Sequence, residues 1–400
     1  MDFSRVTLSQ DDQAFQDDLR ACLAELVTDE VIRRDRETGE NFDETVHLGL
    51  GERGLLAADF NDESAGGFSR LRRRMWELEI GRARTPWFHW GTTAMVAHVV
   101  AKFADDQLAR EVMPGVLSGH IRLCLGYTEP DGGSDVATCK TRAVREADGS
   151  SWIINGAKMF TSNAHNAQYV FLLTNTAPEA PKHQSLTMFL VPLDTPGIEI
   201  QGLRTIDGDR TNIVYYSDVR VDDRYRIGEV NGGWAVMRIA LDAEHGVVEQ
   251  DSDGLQKIAM MSEHALLMAE AVDRTAAVVG ATGPDGGRRI DDEAVQYRLG
   301  RSVARMEAAL STPEMYGRVA IVATMREVAP ELMDLLGTAG LLPAETPGAA
   351  DDGAAEHVFR LSGPSGIYGG TLEVFRNMIA THALGLGKPN YSPPAQRVKA

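Results

Sequence analysis

Between residues 124 and 231 the apolar residues of this 400-residue chain stop recurring at three- and four-residue intervals and gather into short runs. Trp152-Ile153-Ile154, Tyr169 to Leu173, Leu186 to Leu193 and Ile213 to Tyr216 are separated by Asn, Gly, Pro and Asp, the pattern of β-strands and turns. On both sides the texture is helical. Phe15, Leu19, Cys22, Leu23 and Leu26 form one apolar stripe before it. After Gly232-Gly233 the helical period returns, broken only at Gly280 to Gly287 and Leu342 to Gly353, both rich in Gly, Pro or Asp. The tail from Lys388 holds three prolines and reads as irregular. The chain therefore reads as an α+β protein with a helical domain over 1–123, a β domain over 124–231 and helices over 232–400.

The bulk properties exclude several classes. A formal net charge of −18 opposes a nucleic-acid surface. No apolar run approaches the ~20 residues that span a bilayer, and Met1-Asp2-Phe3-Ser4 opens no signal peptide. Cys22, Cys124 and Cys139 have neither metal nor redox spacing, so reduced thiols, a cytoplasmic location and no metal are expected.

Two segments carry chemistry. Tyr127-Thr128-Glu129-Pro130-Asp131-Gly132-Gly133-Ser134-Asp135 is a polar turn that exposes backbone N–H groups to an anionic or heteroaromatic ligand. Some thirty residues later comes Asn155-Gly156-Ala157-Lys158-Met159-Phe160-Thr161-Ser162-Asn163. Its spacing predicts a strand, an Asn-Gly hairpin turn and a second strand ending in an aromatic and a hydroxyl. Together they resemble the signature of the acyl-CoA dehydrogenases, in which T-E-P-x-x-G-S-D and x-K-x-(W/F)-(I/T)-(T/S)-N bind FAD. The order of domains is similar too, although the Tyr that usually precedes Gly66-Gly67 is missing.

The resemblance implies a helical N-terminal domain, a β-barrel-like middle domain and a C-terminal four-helix bundle. It also implies α,β-dehydrogenation of an acyl-CoA, with electrons passed to an electron-transfer flavoprotein. Removing an α-proton and a β-hydride together needs a base and a flavin, because no side chain accepts hydride. The resemblance assigns Leu125, Gly126, Tyr127 and Thr128 to one wall of the flavin, and Phe160, Thr161 and Ser162 to the other. Gly337 and Thr371 fall at further cofactor positions. Ser134, Tyr368 and Gly370 fall at substrate positions.

The base is displaced. Where many relatives carry Y-E-G-T, this chain reads Tyr368-Gly369-Gly370-Thr371. A minority of the family carries its Glu on the first helix after the β domain, within L-x-x-E-R, and Leu241-Asp242-Ala243-Glu244-His245 stands at the matching place. Periodicity points to the same residue: Trp234, Met237, Leu241, Glu244 and Val248 share one helix face, four of them apolar. A carboxylate in such a stripe is a candidate for a raised pKa, and the bland alternative is an interface Glu paired with Arg. Gly369 retains the backbone N–H that the family directs at the thioester carbonyl.

Other positions depart from the family. Its R-x-x-F-G block, which reaches the FAD diphosphate across a dimer, is replaced by Gly286-Gly287-Arg288-Arg289-Ile290-Asp291-Asp292. Asp334-Leu335-Leu336-Gly337-Thr338-Ala339-Gly340 keeps two of three glycines of Q-x-x-G-G-x-G. A homo-oligomer, or a heterotetramer with a related subunit that completes the site, follows as an expectation. A flavin oxidase on the same fold and a non-catalytic subunit remain alternatives, and Glu244 counts against the second.

Overall fold

The computed structural model describes residues 7–244, 261–312 and 314–387. The chain forms two compact units, Met1–Val248 and Glu249–Ala400.

The first unit begins with seven helices: α1 (Gln10–Leu26), α2 (Asp29–Thr38), α3 (Glu44–Glu52), α4 (Leu55–Phe60), α5 (Arg70–Arg82), α6 (His89–Phe103) and α7 (Asp106–Leu117). Five have side-chain caps: Ser9, Thr28, Asp43, Ser69 and Asp105 each accept from a backbone N–H of the first turn. These bonds satisfy donors that the helix itself leaves unpaired. The stripe read from the sequence is buried at Leu19 and Leu23 and packs with Leu50, Trp76, Ile80 and Trp90.

Eight strands follow: β1 (Leu123–Gly126), β2 (Arg142–Arg145), β3 (Ser151–Lys158), β4 (Tyr169–Asn175), β5 (Leu186–Pro192), β6 (Ile198–Arg204), β7 (Arg210–Asp222) and β8 (Arg226–Ile227). They form one mixed sheet in the order β6-β7-β3-β2-β4-β5-β8, with β1 parallel to β4. The order leaves the sheet open, because β6 and β8 end it without pairing each other. β4 and β5 are buried on both faces, which explains their unbroken apolar runs. Val170, Leu172, Phe189 and Val191 face the β core. Phe171, Leu173, Met188 and Leu190 face the helices.

The predicted Asn-Gly hairpin is not a hairpin. Asn155 and Gly156 lie inside the single strand β3, where the register with β7 shifts between Ile154 and Gly156. This is a β-bulge, and Asn155 stabilises it by pairing with Asp218 on β7: the Asp218 N–H donates to Asn155 Oδ1 at 2.8 Å and Asn155 Nδ2 donates to Asp218 Oδ1 at 3.0 Å. Gly-type dipeptides mark bulges as well as turns, and only the partner strand distinguishes them.

Helix α8 (Gly233–Glu244) completes the first unit. Composition groups it with the later helices, yet it packs on α6 and β5. Val236, Met237 and Ala240 are its buried face.

The second unit contains α9 (Ser262–Gly280), α10 (Glu293–Leu310), α11 (Glu314–Leu336), α12 (Ala354–Ser362) and the short α13 (Leu372–Met378). Helix α11 touches α9, α10 and α12 and centres the bundle. Its core includes Met268, Val272, Met306, Ile321, Met325, Leu332 and Val358. The loops at 280–287 and 342–353 fall where the helical pattern breaks.

The bulge makes a prediction. Gly156 has φ +149°, and a Cβ there would lie 2.6 Å from Thr141 Oγ1 and 2.7 Å from Thr141 Cα. The backbone atom cannot rotate away, so Gly156→Ala should cost about 1–3 kcal/mol. Chemical denaturation should show a lower midpoint with an unchanged slope.

Candidate active site

The two motifs meet through a buried charge pair. β1 runs beside β4, with Leu125 opposite Phe171 and Gly126 opposite Leu172. Beyond β1 the chain turns, and Glu129 folds back to 8% exposure. Its carboxylate accepts from the backbone N–H of Lys140 at 2.7 Å and of Thr141 at 2.8 Å. It also accepts from Lys158 Nζ at 2.8 Å, and Lys158 is fully buried at the end of β3. The same ammonium donates to the carbonyl of Tyr127 at 3.2 Å. Burial would raise the Glu129 carboxyl, but the Lys158 charge and these hydrogen bonds hold it down at about 2. Cys139 donates its S–H to the same carboxylate at 3.2 Å. Burial pushes that thiol up to about 11, as expected for an inert structural cysteine.

The second wall follows directly. The N–H of Met159 donates to the carbonyl of Thr128 at 2.8 Å, fixing the two segments side by side. Phe160 then takes a left-handed conformation (φ +55°) and stands 53% exposed, an unusual setting for a large aromatic. Thr161 beside it is fully buried, and its hydroxyl has no hydrogen-bond partner among the described residues. Ser162 Oγ lies 3.0 Å from Thr211 Oγ1. An exposed aromatic beside a buried, unsatisfied hydroxyl is the surface a flat heteroaromatic ligand with a polar ring atom would complete. The residues present therefore fit an isoalloxazine.

Ser134 is exposed on the turn, whose tip is closed by reciprocal backbone bonds of 3.0 and 3.1 Å between Glu129 and Gly132. Asp135 at its end forms an ion pair with Lys182. A cavity of about 180 Å³ lies under the turn, between Glu129, Gly132, Val136 and Lys140.

In the second unit, Tyr368 to Thr371 form a turn with Gly369 at φ +58° and Gly370 at φ +94°. Buried Arg318 collects its carbonyls: it donates to the carbonyl of Tyr368, to that of Gly370 at 2.8 Å and to that of Ser365 at 3.3 Å. The Tyr368 hydroxyl hydrogen-bonds His264 Nε2 at 2.6 Å. Burial, with Arg318 and His357 nearby, lowers His264 to about 3, so its ring is neutral. The Thr371 hydroxyl caps α13, accepting from the Val374 N–H at 3.3 Å. Gly337 turns the chain out of α11 at φ +71°. Arg288 is engaged by Asp291 at 2.6 Å.

Glu244 is the last residue of α8, four positions beyond Ala240 and seven beyond Met237 on the buried face. Its side chain, His245 and Val248 lie outside the described residues. No group of three metal-ligating side chains occurs among the described residues, and none of their helices is long and apolar enough to cross a membrane. Sequence reasoning did not foresee Asn212, Arg318 or His264. Their partners lie 51, 50 and 104 residues away, and no local pattern marks such distant pairings.

Comparison with known proteins agrees with this geometry. Residues 9–120 match the family "Acyl-CoA dehydrogenase, N-terminal domain" and residues 124–219 match "Acyl-CoA dehydrogenase, middle domain". Acyl-CoA dehydrogenase FadE26 of Mycobacterium tuberculosis is 30% identical over 96% of this chain and 100% of its own length. Among solved structures, the ChsE4-ChsE5 complex from Mycobacterium tuberculosis contains a chain 28% identical, with a TM-score of 0.80, over 96% of this chain and 100% of that one. A Tcur3481-Tcur3483 steroid ACAD is 28% identical, with a TM-score of 0.76 and the same coverage. The fold defines a class of oxidoreductases that act on acyl thioesters. This chain belongs to the acyl-CoA dehydrogenase family and is an acyl-CoA dehydrogenase.

The ion pair at the junction of the motifs is testable. Glu129→Gln leaves Lys158 charged and buried without its counterion, at a cost of about 3–5 kcal/mol. The wild-type carboxyl is lowered on folding, so its stabilisation is complete above about 4.5 and is lost as pH falls toward about 2. Urea melts across this range should show wild-type stability falling with pH, with a shallower fall in the variant.

Proposed function

We propose that this chain binds FAD between Leu125–Thr128 and Phe160–Ser162 and converts an acyl-CoA to its trans-2-enoyl-CoA, with electrons passed to an electron-transfer flavoprotein. The observation that carries the flavin assignment is the buried Thr161 hydroxyl, unpartnered among the described residues, beside exposed Phe160. FAD, when bound, supplies the acceptor for the β-hydride that no side chain can provide. The chain's own residues do the rest. Leu125 to Thr128 and Phe160 would cover the ring, and Thr161 would donate a hydrogen bond to a ring nitrogen. The family resemblance assigns Ser134 to the CoA portion of the substrate, and separately assigns Tyr368 and Gly370 to substrate positions. The family resemblance assigns Gly337 and Thr371 to further cofactor positions.

Glu244 takes the α-proton in this reading. Gly369 carries no side chain and supplies no base, and its N–H is the donor proposed for the thioester carbonyl. In the sequence Glu244 shares its stripe with Trp234, Met237 and Leu241, and a carboxylate removed from water is the kind of base whose pKa rises toward that of an acidified α-proton. Within the family resemblance a glycine at 369 replaces a bulkier residue, which favours branched, long or polycyclic acyl groups. The likeness to a steroid acyl-CoA dehydrogenase supports the polycyclic option.

The flavin diphosphate would be completed across a subunit interface, because Arg288 is engaged by Asp291 and no arginine-aromatic-glycine block follows α9. The likeness to a chain of a two-component complex supports a heterotetramer with a related subunit. Protein purified alone should carry little FAD, and co-expression with the related subunit should bring the flavin absorption to full occupancy. Stoichiometric FAD on a monomer would refute the shared site.

Glu244→Gln should leave FAD binding intact and slow flavin bleaching by acyl-CoA about 10²–10⁴-fold in rapid mixing. Near-normal bleaching in the folded variant would exclude Glu244 as the base. Rapid oxygen consumption without an electron-transfer flavoprotein would identify an oxidase instead.

A further inference from the structure

The turn that carries Thr161 is held from behind by a polar chain that starts in the helical domain. Gly39 ends α2 in a left-handed conformation (φ +61°), and its carbonyl accepts from the Arg210 N–H at 2.7 Å. A Cβ at Gly39 would lie 2.1 Å from the carbonyl oxygen of Gly208, so only glycine permits this approach to the β6–β7 turn. The next residue, Glu40, is thereby carried against the end of the sheet. Its carboxylate accepts from Arg210 at 2.8 Å, from Asn166 Nδ2 at 3.3 Å and from His165 Nε2. Its carbonyl accepts from His89 Nε2 at 3.0 Å.

The Thr161 carbonyl sets the hydrogen-bond directions along this chain, which Asn166 Nδ2 also flanks at 3.0 Å from His165 Nε2. Asn212 is fully buried on β7, and its amide nitrogen lies 3.0 Å from the carbonyl of Thr161 and 3.1 Å from His165 Nδ1. A carbonyl only accepts, so the amide nitrogen must face it, and its second hydrogen goes to His165 Nδ1. His165 Nδ1 is therefore an acceptor, which leaves the ring proton on Nε2 to donate to Glu40. The main-chain N–H of Thr161 returns a bond to the carbonyl of Asn212 at 2.9 Å. Residue 212 thus holds both main-chain polar groups of residue 161. The relay runs from the Glu40 carboxylate through neutral His165 and Asn212 to the Thr161 carbonyl.

We infer that Glu40, His165 and Asn212 are positioning residues for the Thr161 hydroxyl: they fix the peptide from which it projects and so set its hydrogen bond to the flavin. The assignment rests on the flavin reading above. It gives a purpose to a partly buried network that a purely structural core would fill more cheaply with apolar side chains. It also makes the linker between α2 and α3 part of the cofactor site without touching the cofactor.

The test uses full-length protein, with the related subunit present wherever FAD uptake requires it. The readouts are the FAD dissociation constant, the position of the visible flavin band and the flavin midpoint potential by dye equilibration. Asn212→Leu and His165→Leu should each weaken FAD binding about tenfold, as expected for roughly one misaligned hydrogen bond. They should also shift the band and the potential in the same direction as Thr161→Val. The double variant Thr161→Val/Asn212→Leu should shift them no further than Thr161→Val alone, because the two act through one hydroxyl. His165→Gln should restore most of the wild-type values, since its amide can donate to Glu40 and accept from Asn212.

Unchanged flavin properties in folded Asn212→Leu and His165→Leu would overturn the assignment, as would fully additive effects in the double variant. Should Asn212→Leu fail to fold, the contrast between His165→Leu and His165→Gln decides the question alone. Wild-type protein that took up no FAD would overturn the flavin reading together with this assignment. Normal wild-type flavin with unaltered variants would overturn this assignment only.

Discussion

The buried pair of Glu129 and Lys158 is the interaction on which the rest of the first unit's site depends. Each charge costs several kcal/mol to remove from water, and their mutual attraction offsets this only because every remaining valence is used. Glu129 takes two backbone N–H groups besides the ammonium, and Lys158 reaches back to the Tyr127 carbonyl. Three segments therefore converge on one carboxylate: the 127–135 turn, the stretch 139–141 before β2 and the end of β3. An apolar pair of equal volume would pack as densely, yet it would leave those backbone donors unsatisfied. Charge here acts as a locator more than as a stabiliser.

Around this anchor, order and strain are divided between scaffold and surface. β4 and β5 are buried on both faces and carry no candidate site residue. The turn at 160–163 contains two non-glycine residues at positive φ, Phe160 and Asn163, a conformation that costs free energy unless its surroundings impose it. The surroundings are β7, through Asn212, and the Glu40 network behind it. The second unit solves a comparable problem differently. Gly369 and Gly370 adopt positive φ at little cost, and a single buried guanidinium holds three carbonyls around them. Arg318 also lies 4.7 Å from the Phe375 ring, so the charge is sheltered by an aromatic face as well as by its acceptors.

Much of the architecture was legible because it follows from local chemistry. Helical stripes and Gly/Pro-rich breaks depend on neighbours a few residues apart, and they marked α1, the return of helix after Gly233 and the loops at 280–287 and 342–353. The open sheet was less legible. Asn155-Gly156 has the composition of a hairpin turn, but β7 pairs with both halves of β3 and turns the same dipeptide into a bulge. Helix α8 has the periodicity of the later helices and packs with the earlier ones, because its apolar face has no address written in its own residues.

The sequence by itself determined which residues are candidates for chemistry: the turn at 127–135, the aromatic and hydroxyl at 160–161, the glycine at 369 and the single carboxylate on the stripe of α8. Those assignments rest on residue type, which the chain states outright. Tertiary structure alone decided what each polar group is bonded to. Glu129 meets Lys158 across 29 residues, Glu40 meets Arg210 across 170, and Asn212 meets Thr161 across 51. A hydrogen bond is specified by distance and direction in space, and no periodicity along the chain encodes either for partners so far apart.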